Sequence, residues 1–138
     1  MKANQAKLKH KKSFILAADT IVYAKRKFFF KTEDFNVAFN NIKLLSGGRH
    51  TIYTGLTFIS SKEEVKFYLS KTRVKFKKLN DLEVKQYLAL EEWKNVSGSY
   101  AIQGYGSSFI NFISGSYTSA IGLPLEKVYT IFKNYKIL

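Results

Sequence analysis

Apolar runs, and one stretch in which apolar and polar residues alternate, predict β-strands in this chain. Residues 14–22 form a nearly continuous apolar run with a β-branched end, interrupted by the single acid Asp19, and this predicts a strand buried on both faces. Residues 52–59 predict a second strand. Between residues 65 and 76, apolar positions alternate with lysines, which predicts one bent strand, or two, with a solvated lysine face.

Helical spacing and helix-end signals separate these strands. Thr32 is predicted to cap a helix that carries two acids in its first turn and stops at Gly47 and Gly48. Asn80 followed by Glu83 resembles a capping box, which predicts a second helix running to residue 90.

The remaining segments complete a mixed pattern of helices and strands. Residues 2–13 are polar and basic and could close a helix, and residues 24–32 predict a basic, aromatic connection. Residues 97–122 are rich in Gly and Ser, which predicts strands joined by tight turns, and Pro124 suits the first turn of a final helix. The order predicts a single α/β domain over residues 1–138, with a mixed sheet and flanking helices.

Composition excludes several classes of protein. The chain has 138 residues, of which 46% are hydrophobic and 16% aromatic, so it can bury a core and is not of disordered type. The lack of cysteine excludes disulfides, thiolate catalysis and cysteine-based zinc sites. No apolar run has the length of a membrane span, and the first residues lack the apolar region of a signal peptide. A cytoplasmic location is therefore expected.

The charge balance suits an anionic partner without identifying it. Lys and Arg number 23 against 10 Asp and Glu, giving a net charge of +13, yet the only arginines are Arg26, Arg49 and Arg73. Nucleic-acid readers tend to recruit arginine, and lysines spread along the chain fit a compositional bias or a small anionic substrate equally well. No nucleic-acid partner is expected, and nonspecific nucleic-acid binding is a third hypothesis that rests on charge alone.

Asp19 is the most informative candidate for chemistry. A carboxylate within an apolar run is costly to bury unless it binds a cation or forms hydrogen bonds. It could cap the turn that follows the strand, or it could be a metal ligand or a general base. The residues alone leave both interpretations open.

Three further residues have a structural and a functional interpretation. Lys31 is a solvated lysine on a basic loop, or it neutralises a phosphate near the start of the following helix. Gln103 satisfies backbone groups in a glycine-bent turn, or its amide reads the edge of a base. His50, just before a strand, is expected to be structural or solvent-facing rather than catalytic.

Four spaced segments resemble the motifs of the Maf family of nucleoside triphosphate pyrophosphatases. Residues 18–22 read A-D-T-I-V and resemble its A-D-T-x-V. Residues 44–55 read L-L-S-G-G-R-H-T-I-Y-T-G and resemble L-S-G-x-x-H-x-V-x-T-G. Residues 99–104, S-Y-A-I-Q-G, and 115–124, G-S-Y-T-S-A-I-G-L-P, resemble A-Y-x-I-Q-G and G-S-Y-x-x-V-x-G-L-P.

The resemblance implies the inosine-triphosphatase-like fold and hydrolysis of a nucleoside triphosphate to monophosphate and pyrophosphate, with a divalent cation such as Mg²⁺ or Mn²⁺. Asp19 matches the acid credited with metal binding and activation of water. Thr20 and Gln103 match positions tied to substrate choice, and Lys2 and Lys31 match substrate-binding lysines. The Asp-Thr pair implies the branch that acts on dTTP and UTP, and family members often form homodimers.

The family also has an N-terminal S-x-S-P-R-R loop, and no such segment precedes the matched Lys2. The alternative function is therefore a truncated, inactive remnant that binds nucleotides or partners weakly. In this form we expect the 15–22 strand to have an unpaired or poorly covered flank, and Asp19 to lie in an open cleft with no arginine pair opposite it. Phe14, Ile15, Ile21, Val22 and Phe28 to Phe30 would then form part of an exposed apolar surface, making the chain less stable and prone to self-associate.

Overall fold

The computed structural model describes residues 2–9 and 13–138 and has an antiparallel five-stranded sheet with helices against it. The predicted combination of strands with flanking helices is confirmed, but every strand pair in the described residues is antiparallel, so the predicted mixed sheet is wrong in that detail. The strands are β1 Ile15–Ala24, β2 Lys27–Phe29, β3 Arg49–Ile59, β4 Val65–Phe76 and β5 Ile110–Ser114. The helices are α1 Lys2–Lys9, α2 Phe35–Leu45, α3 Asp81–Leu88, α4 Tyr117–Ile121 and α5 Leu125–Asn134. The strand order in the sheet is β2-β1-β3-β4-β5.

The two faces of the sheet are packed very differently. On the packed face, β3 alternates strictly and buries its even-numbered residues His50 to Phe58. One end of this face forms a core with α2 and α3, and the other end packs Leu56 and Phe58 against Val128 and Ile131 of α5. The opposite side, called here the open face, carries the odd-numbered residues of β1, β3 and β4 and is covered by α1 around Ile15 and Ile59.

The predicted cap of α3 and the predicted end of α2 are confirmed, whereas the predicted cap of α2 is not. Asn80 and Glu83 form the predicted capping box, each side chain accepting from the other residue's backbone N–H. The cap of α2 is Asp34, whose Oδ1 accepts from the backbone N of Val37 at 3.0 Å, so the prediction of Thr32 as cap is wrong. Thr32 Oγ1 instead accepts from the backbone N of Asp34. The Gly47 stop is confirmed, since Gly47 has a φ of +69° directly after the helix cap.

β4 is one continuous strand, but the alternation along it did not predict its burial. Val65, Phe67 and Leu69 all lie exposed on the open face, whereas Val74 and Phe76 are buried on the packed face. On the open face α1 packs against Ile15 of β1 and Ile59 of β3, whereas the apolar residues of β4 remain in contact with solvent.

The segment 97–122 contains a single strand, β5, and not the several strands predicted. Its other parts are two short 3₁₀ turns, Ser97–Ser99 and Tyr105–Phe109, followed by α4. The connection 24–32 also differs from its prediction, because Lys25 and Arg26 form a tight turn with positive φ that leads into β2. The predicted final helix is present, with Pro124 as its N-cap, one position before the first turn in which it was predicted.

The first strand has a free edge next to the cleft. β1 pairs with β3 over residues 15–23 but with β2 only over residues 22–24, so residues 15–21 have one partner strand in the described part of the chain. This confirms the expected unpaired flank, while the predicted burial on both faces is wrong at Asp19, which is exposed. The predicted apolar surface is confirmed for the exposed Phe14, Phe28 and Phe30; Ile15, Val22 and Phe29 are buried in the core instead.

Candidate functional site

The free edge of β1 forms one side of a cleft of about 240 Å³. Lys2 from α1, Lys31 from the segment after β2 and Gln103 from the 95–103 segment line it together with Asp19 and Thr20 of β1. A second hollow of about 500 Å³ adjoins it and shares Lys2, Asp19, Thr20 and Lys31. All five predicted site residues therefore border the same cleft, although they are up to a hundred positions apart in the sequence.

Asp19 and Lys2 are the charged pair at the entrance. Lys2 Nζ lies 3.6 Å from Asp19 Oδ1, and the two side chains remain 63% and 71% exposed. A pair this exposed is worth little to stability, because water screens it. Asp19 is therefore held by the strand and not by the pair, and its carboxylate is accessible to a ligand in the cleft.

Thr20 has a defined hydrogen-bonding state. Thr54 Oγ1 donates to the backbone O of Ser119 at 2.7 Å, so its only hydrogen is used. In the 3.0 Å contact between the two threonine hydroxyls, Thr20 Oγ1 is then the donor to Thr54. Thr20 is left with accepting lone pairs beside the cleft, close to Gly122, where an added Cβ would be 3.9 Å from Thr20 Oγ1.

Ser97 fastens the opposite wall of the cleft to the sheet. Its Oγ accepts from the backbone N of Val22 at 2.9 Å and donates to the backbone O of Phe29 at 2.6 Å. The next residue, Gly98, has a φ of +78°, and a Cβ there would lie 2.8 Å from Val22 Cγ2. Sequence reasoning missed both residues, since the only local signal was a run of small polar residues before Tyr100.

Lys31 is held in position through its neighbours. The backbone N of Asn95 donates to the backbone O of Thr32 at 3.2 Å, and Asn95 Nδ2 donates to Glu33 Oε1 at 2.9 Å. These contacts tie the loop that carries Lys31 to the wall that carries Gln103, which itself is exposed to the cleft. Among the described residues that line the cleft, Lys2 and Lys31 are the cations.

His50 supports the floor of the cleft from within the core. Its Nε2 lies 2.6 Å from the hydroxyl of Tyr100, a buried residue that lines the cleft, and its ring meets Phe76 edge-on at 4.9 Å. The expectation of a structural histidine is confirmed. Burial lowers the pKa of His50 from 6.5 to about 4 and raises the pKa of Tyr100 above its ordinary value. His50 Nδ1 is buried without a partner in the described structure, as suits a neutral ring.

This buried imidazole predicts a loss of stability in mild acid. Between about pH 6.5 and about pH 4 the unfolded chain binds a proton at His50 that the folded chain does not, so the free energy of unfolding falls as the pH falls through this window, by about 3 kcal/mol in all. Urea unfolding of the wild type and of His50→Gln, each compared with its own value at about pH 7, measures this. The variant should lack that part of the pH dependence; equal pH dependence in both proteins would contradict the assignment.

Comparison with known proteins agrees with this arrangement. The model of the Maf-like protein family matches residues 1–135. A dTTP/UTP pyrophosphatase of Wolbachia sp. subsp. Drosophila simulans (strain wRi) is 41% identical over 137 residues, covering 97% of this chain and 68% of that protein. The dTTP/UTP pyrophosphatase of Zymomonas mobilis subsp. mobilis (strain ATCC 31821 / ZM4 / CP4) is 40% identical over 133 residues, covering 96% of this chain and 66% of that protein.

A third relative, the dTTP/UTP pyrophosphatase of Chelativorans sp. (strain BNC1), is 41% identical over 119 residues, covering 86% of this chain and 57% of its own length. The chain thus spans between 57% and 68% of these three curated relatives. Because the family model matches nearly the whole chain, and the motif residues meet in one cleft, this chain belongs to the Maf family.

Proposed function

We propose that this protein hydrolyses dTTP and UTP to the nucleoside monophosphate and pyrophosphate at the cleft beside β1. The observation that carries the proposal is that a carboxylate, two lysines, a hydroxyl and an amide border one open cleft. The relatives' names, dTTP/UTP pyrophosphatase, support the same activity.

The reaction needs an oriented water and neutralisation of the triphosphate. Water attacks the α-phosphorus, the bond from that phosphorus to the α,β-bridging oxygen breaks, and pyrophosphate leaves with the electron pair while the water loses a proton. In our proposal Lys2 and Lys31 contact the phosphate oxygens, and Asp19 orients the water and accepts its proton. Lys2 is suited to this role because its only charged partner among the described residues is the exposed Asp19.

The residues present fit a divalent cation bound jointly with the substrate. No group of three or more acidic, histidine or cysteine side chains occurs in the described part of the chain, so a metal cage made by protein alone is not present there. Mg²⁺ is commonly held by one or two carboxylates together with substrate phosphates and water, and the accessible Asp19 carboxylate suits that arrangement. A bound Mg²⁺ or Mn²⁺ supplies Lewis-acid stabilisation of charge on the phosphate oxygens.

We attribute the proposed pyrimidine selectivity to polar groups that line the same cleft as Asp19. Uracil and thymine share an imide edge with one N–H donor between two carbonyl acceptors. Thr20 Oγ1, which donates to Thr54, retains lone pairs that accept from such an N–H. The Gln103 amide can donate to a carbonyl of the same edge, and Gly122 leaves room for the base beside Thr20.

A nucleotide panel tests the proposal. Products of dTTP, UTP, GTP and ATP, incubated with the protein and Mg²⁺ or Mn²⁺, are separated by anion-exchange chromatography. We expect monophosphate and pyrophosphate from dTTP and UTP at rates at least about tenfold above those from the purines, with turnover lost on chelation of the metal. Diphosphate and inorganic phosphate as products would contradict the proposed bond cleavage.

The same assay distinguishes the proposed activity from the alternative, an inactive remnant that binds nucleotides weakly. The alternative is supported by the cations of the cleft, because the described residues that line it include lysines and no arginine. The alternative predicts that the protein binds dTTP without hydrolysing it. Isothermal titration with a non-hydrolysable dTTP analogue would then detect binding, while the product assay would detect no monophosphate. The cytoplasmic location expected from the sequence and the homodimer implied by the family remain predictions. No helix in the described part of the chain has the length and apolar character needed to cross a membrane.

A further inference from the structure

Basic and aromatic side chains interleave at one end of the open face. Opposite residues in an antiparallel ladder point to the same side, and so do alternate residues of one strand. Three rows of paired residues therefore share the open face here. We call them the basic-aromatic patch; its rows are Tyr53 and Lys71, then Phe28, Tyr23, Thr51 and Arg73, then Arg49, Lys75 and Phe112.

Tyr23, Phe28 and Tyr53 form a connected layer of rings, and cations of the patch lie over Tyr53 and over the separate ring of Phe112. The Tyr23 ring lies 5.0 Å from that of Phe28 and 6.4 Å from that of Tyr53, centroid to centroid. Lys71 Nζ lies 5.7 Å from the Tyr53 ring centroid, and Arg49 Cζ lies 5.7 Å from that of Phe112. Phe28 and Phe112 are each about half exposed, so the layer faces solvent.

The cations of the patch are not neutralised by the protein. No acidic residue belongs to the three rows, and within the described chain Arg49, Lys71, Arg73 and Lys75 form no ion pair with a carboxylate. A groove of about 380 Å³ runs among them, lined by residues that include Tyr23, Lys25, Arg49 and Arg73. Two of the three arginines in the chain lie in the patch, and the third, Arg26, is in the adjoining turn.

We propose that the basic-aromatic patch binds single-stranded nucleic acid, with phosphates on the lysine and arginine side chains and unpaired bases stacked on the exposed rings. The small number of arginines in the sequence argued against such a partner, but the fold places two of them in the patch and the third in the adjoining turn. Positively charged grooves with aromatic platforms are the usual means of holding a single strand, because every base has a face that can stack. A duplex offers no free base faces, and a second copy of this chain would oppose cation to cation.

The patch is separate from the nucleotide cleft. The nearest row of the patch, Tyr53 and Lys71, is level with Ile21, two residues or about 7 Å along β1 from Asp19. None of the lysines or arginines in the patch lines the cleft or the adjoining hollow. Binding at the patch is therefore measurable whether or not the protein hydrolyses nucleotides.

Fluorescence anisotropy with labelled oligo(U) and oligo(dT) of about twelve nucleotides, and with a duplex of equal length, tests the proposal. We expect both single strands to bind more tightly than the duplex, with affinity falling linearly on a logarithmic salt scale. Arg49→Gln with Arg73→Gln should reduce the salt slope by about 1.4 and the affinity at least about tenfold. Tyr53→Ala should also weaken binding by about tenfold, through lost stacking.

A matched double variant separates the patch from overall charge. Lys62→Gln with Lys133→Gln removes the same two charges from exposed positions in the β3–β4 turn and on α5, and should change affinity less than twofold to threefold. The two double variants should keep the thermal unfolding midpoint of the wild type, and all variants should keep its nucleotide turnover. The proposal would be overturned if the two double variants lost equal affinity, or if no single strand bound at low salt. Tighter binding to the duplex or to vesicles of anionic lipid would also overturn it. A difference between oligo(U) and oligo(dT) identifies the natural strand as RNA or DNA.

Discussion

Replacing Asp19 by asparagine is expected to lower the turnover of dTTP and UTP by about 1,000-fold, the largest functional effect that the structure predicts. Asparagine keeps the size of the side chain but removes the negative charge and the proton-accepting oxygen. Both proposed roles, holding a divalent cation with the substrate and accepting a proton from water, depend on that oxygen. The measurement is the rate of pyrophosphate release from dTTP at saturating Mg²⁺, for wild type and variant.

The control for this substitution is Asp81→Asn. Asp81 is also an exposed aspartate beside a lysine, with Oδ1 paired to Lys43 Nζ, but it lies at the start of α3, away from the cleft. Its variant should retain turnover within about twofold. The Asp19 variant should unfold at nearly the same urea concentration as wild type, because the Asp19–Lys2 pair is exposed. Turnover that survives Asp19→Asn would remove Asp19 from the mechanism.

Phe76→Ala is expected to lower the free energy of unfolding by about 3–5 kcal/mol, the largest effect on stability. Phe76 is 0% exposed, and its ring meets Tyr100 at 4.7 Å and Phe109 at 5.7 Å, edge to face. Truncation removes this burial and leaves a cavity beneath Tyr100, which lines the cleft. Equilibrium urea unfolding with fluorescence detection gives the change in free energy.

Phe67→Ala is the matched control, since the same strand carries both residues. Phe67 lies on the open face and is 64% exposed, so its truncation should change the free energy of unfolding by no more than about 0.5 kcal/mol. Comparable losses in the two variants would mean that the open face at Phe67 is covered in solution, and that the contrast between the faces is wrong.

Local sequence patterns correctly predicted the parts of the fold that depend on interactions between residues close together in the sequence. A capping box needs only Asn80 and Glu83, which are adjacent on the first turn of α3, so the sequence contained the whole interaction. The stop at Gly47 likewise follows from one residue's freedom to adopt positive φ. Residues 52–59 were predicted to form a strand, and β3 contains them all, with one face buried along most of its length.

The errors occur where a local signal had competitors. Thr32 and Asp34 can each cap a helix, and in the structure Asp34 caps α2 because its Oδ1 accepts from the backbone N of Val37. In the segment 97–122, glycine and serine suit several backbone conformations equally. There Ser97 is held by the backbone of β1 and β2, and Ser99 by Asn41 of α2, so the packing and not the local sequence selects the turns.

The sequence by itself determined the class of fold, the family and the identity of the five cleft residues, because motifs and periodicities are properties of neighbouring positions. Only the tertiary structure decided that Lys2, Lys31 and Gln103 meet Asp19 and Thr20 at the free edge of β1. It also decided that Arg49 and Arg73 meet on the open face, through the pairing of β3 with β4. These contacts depend on strand register and on packing between distant segments, and neither can be deduced from residue spacing along the chain.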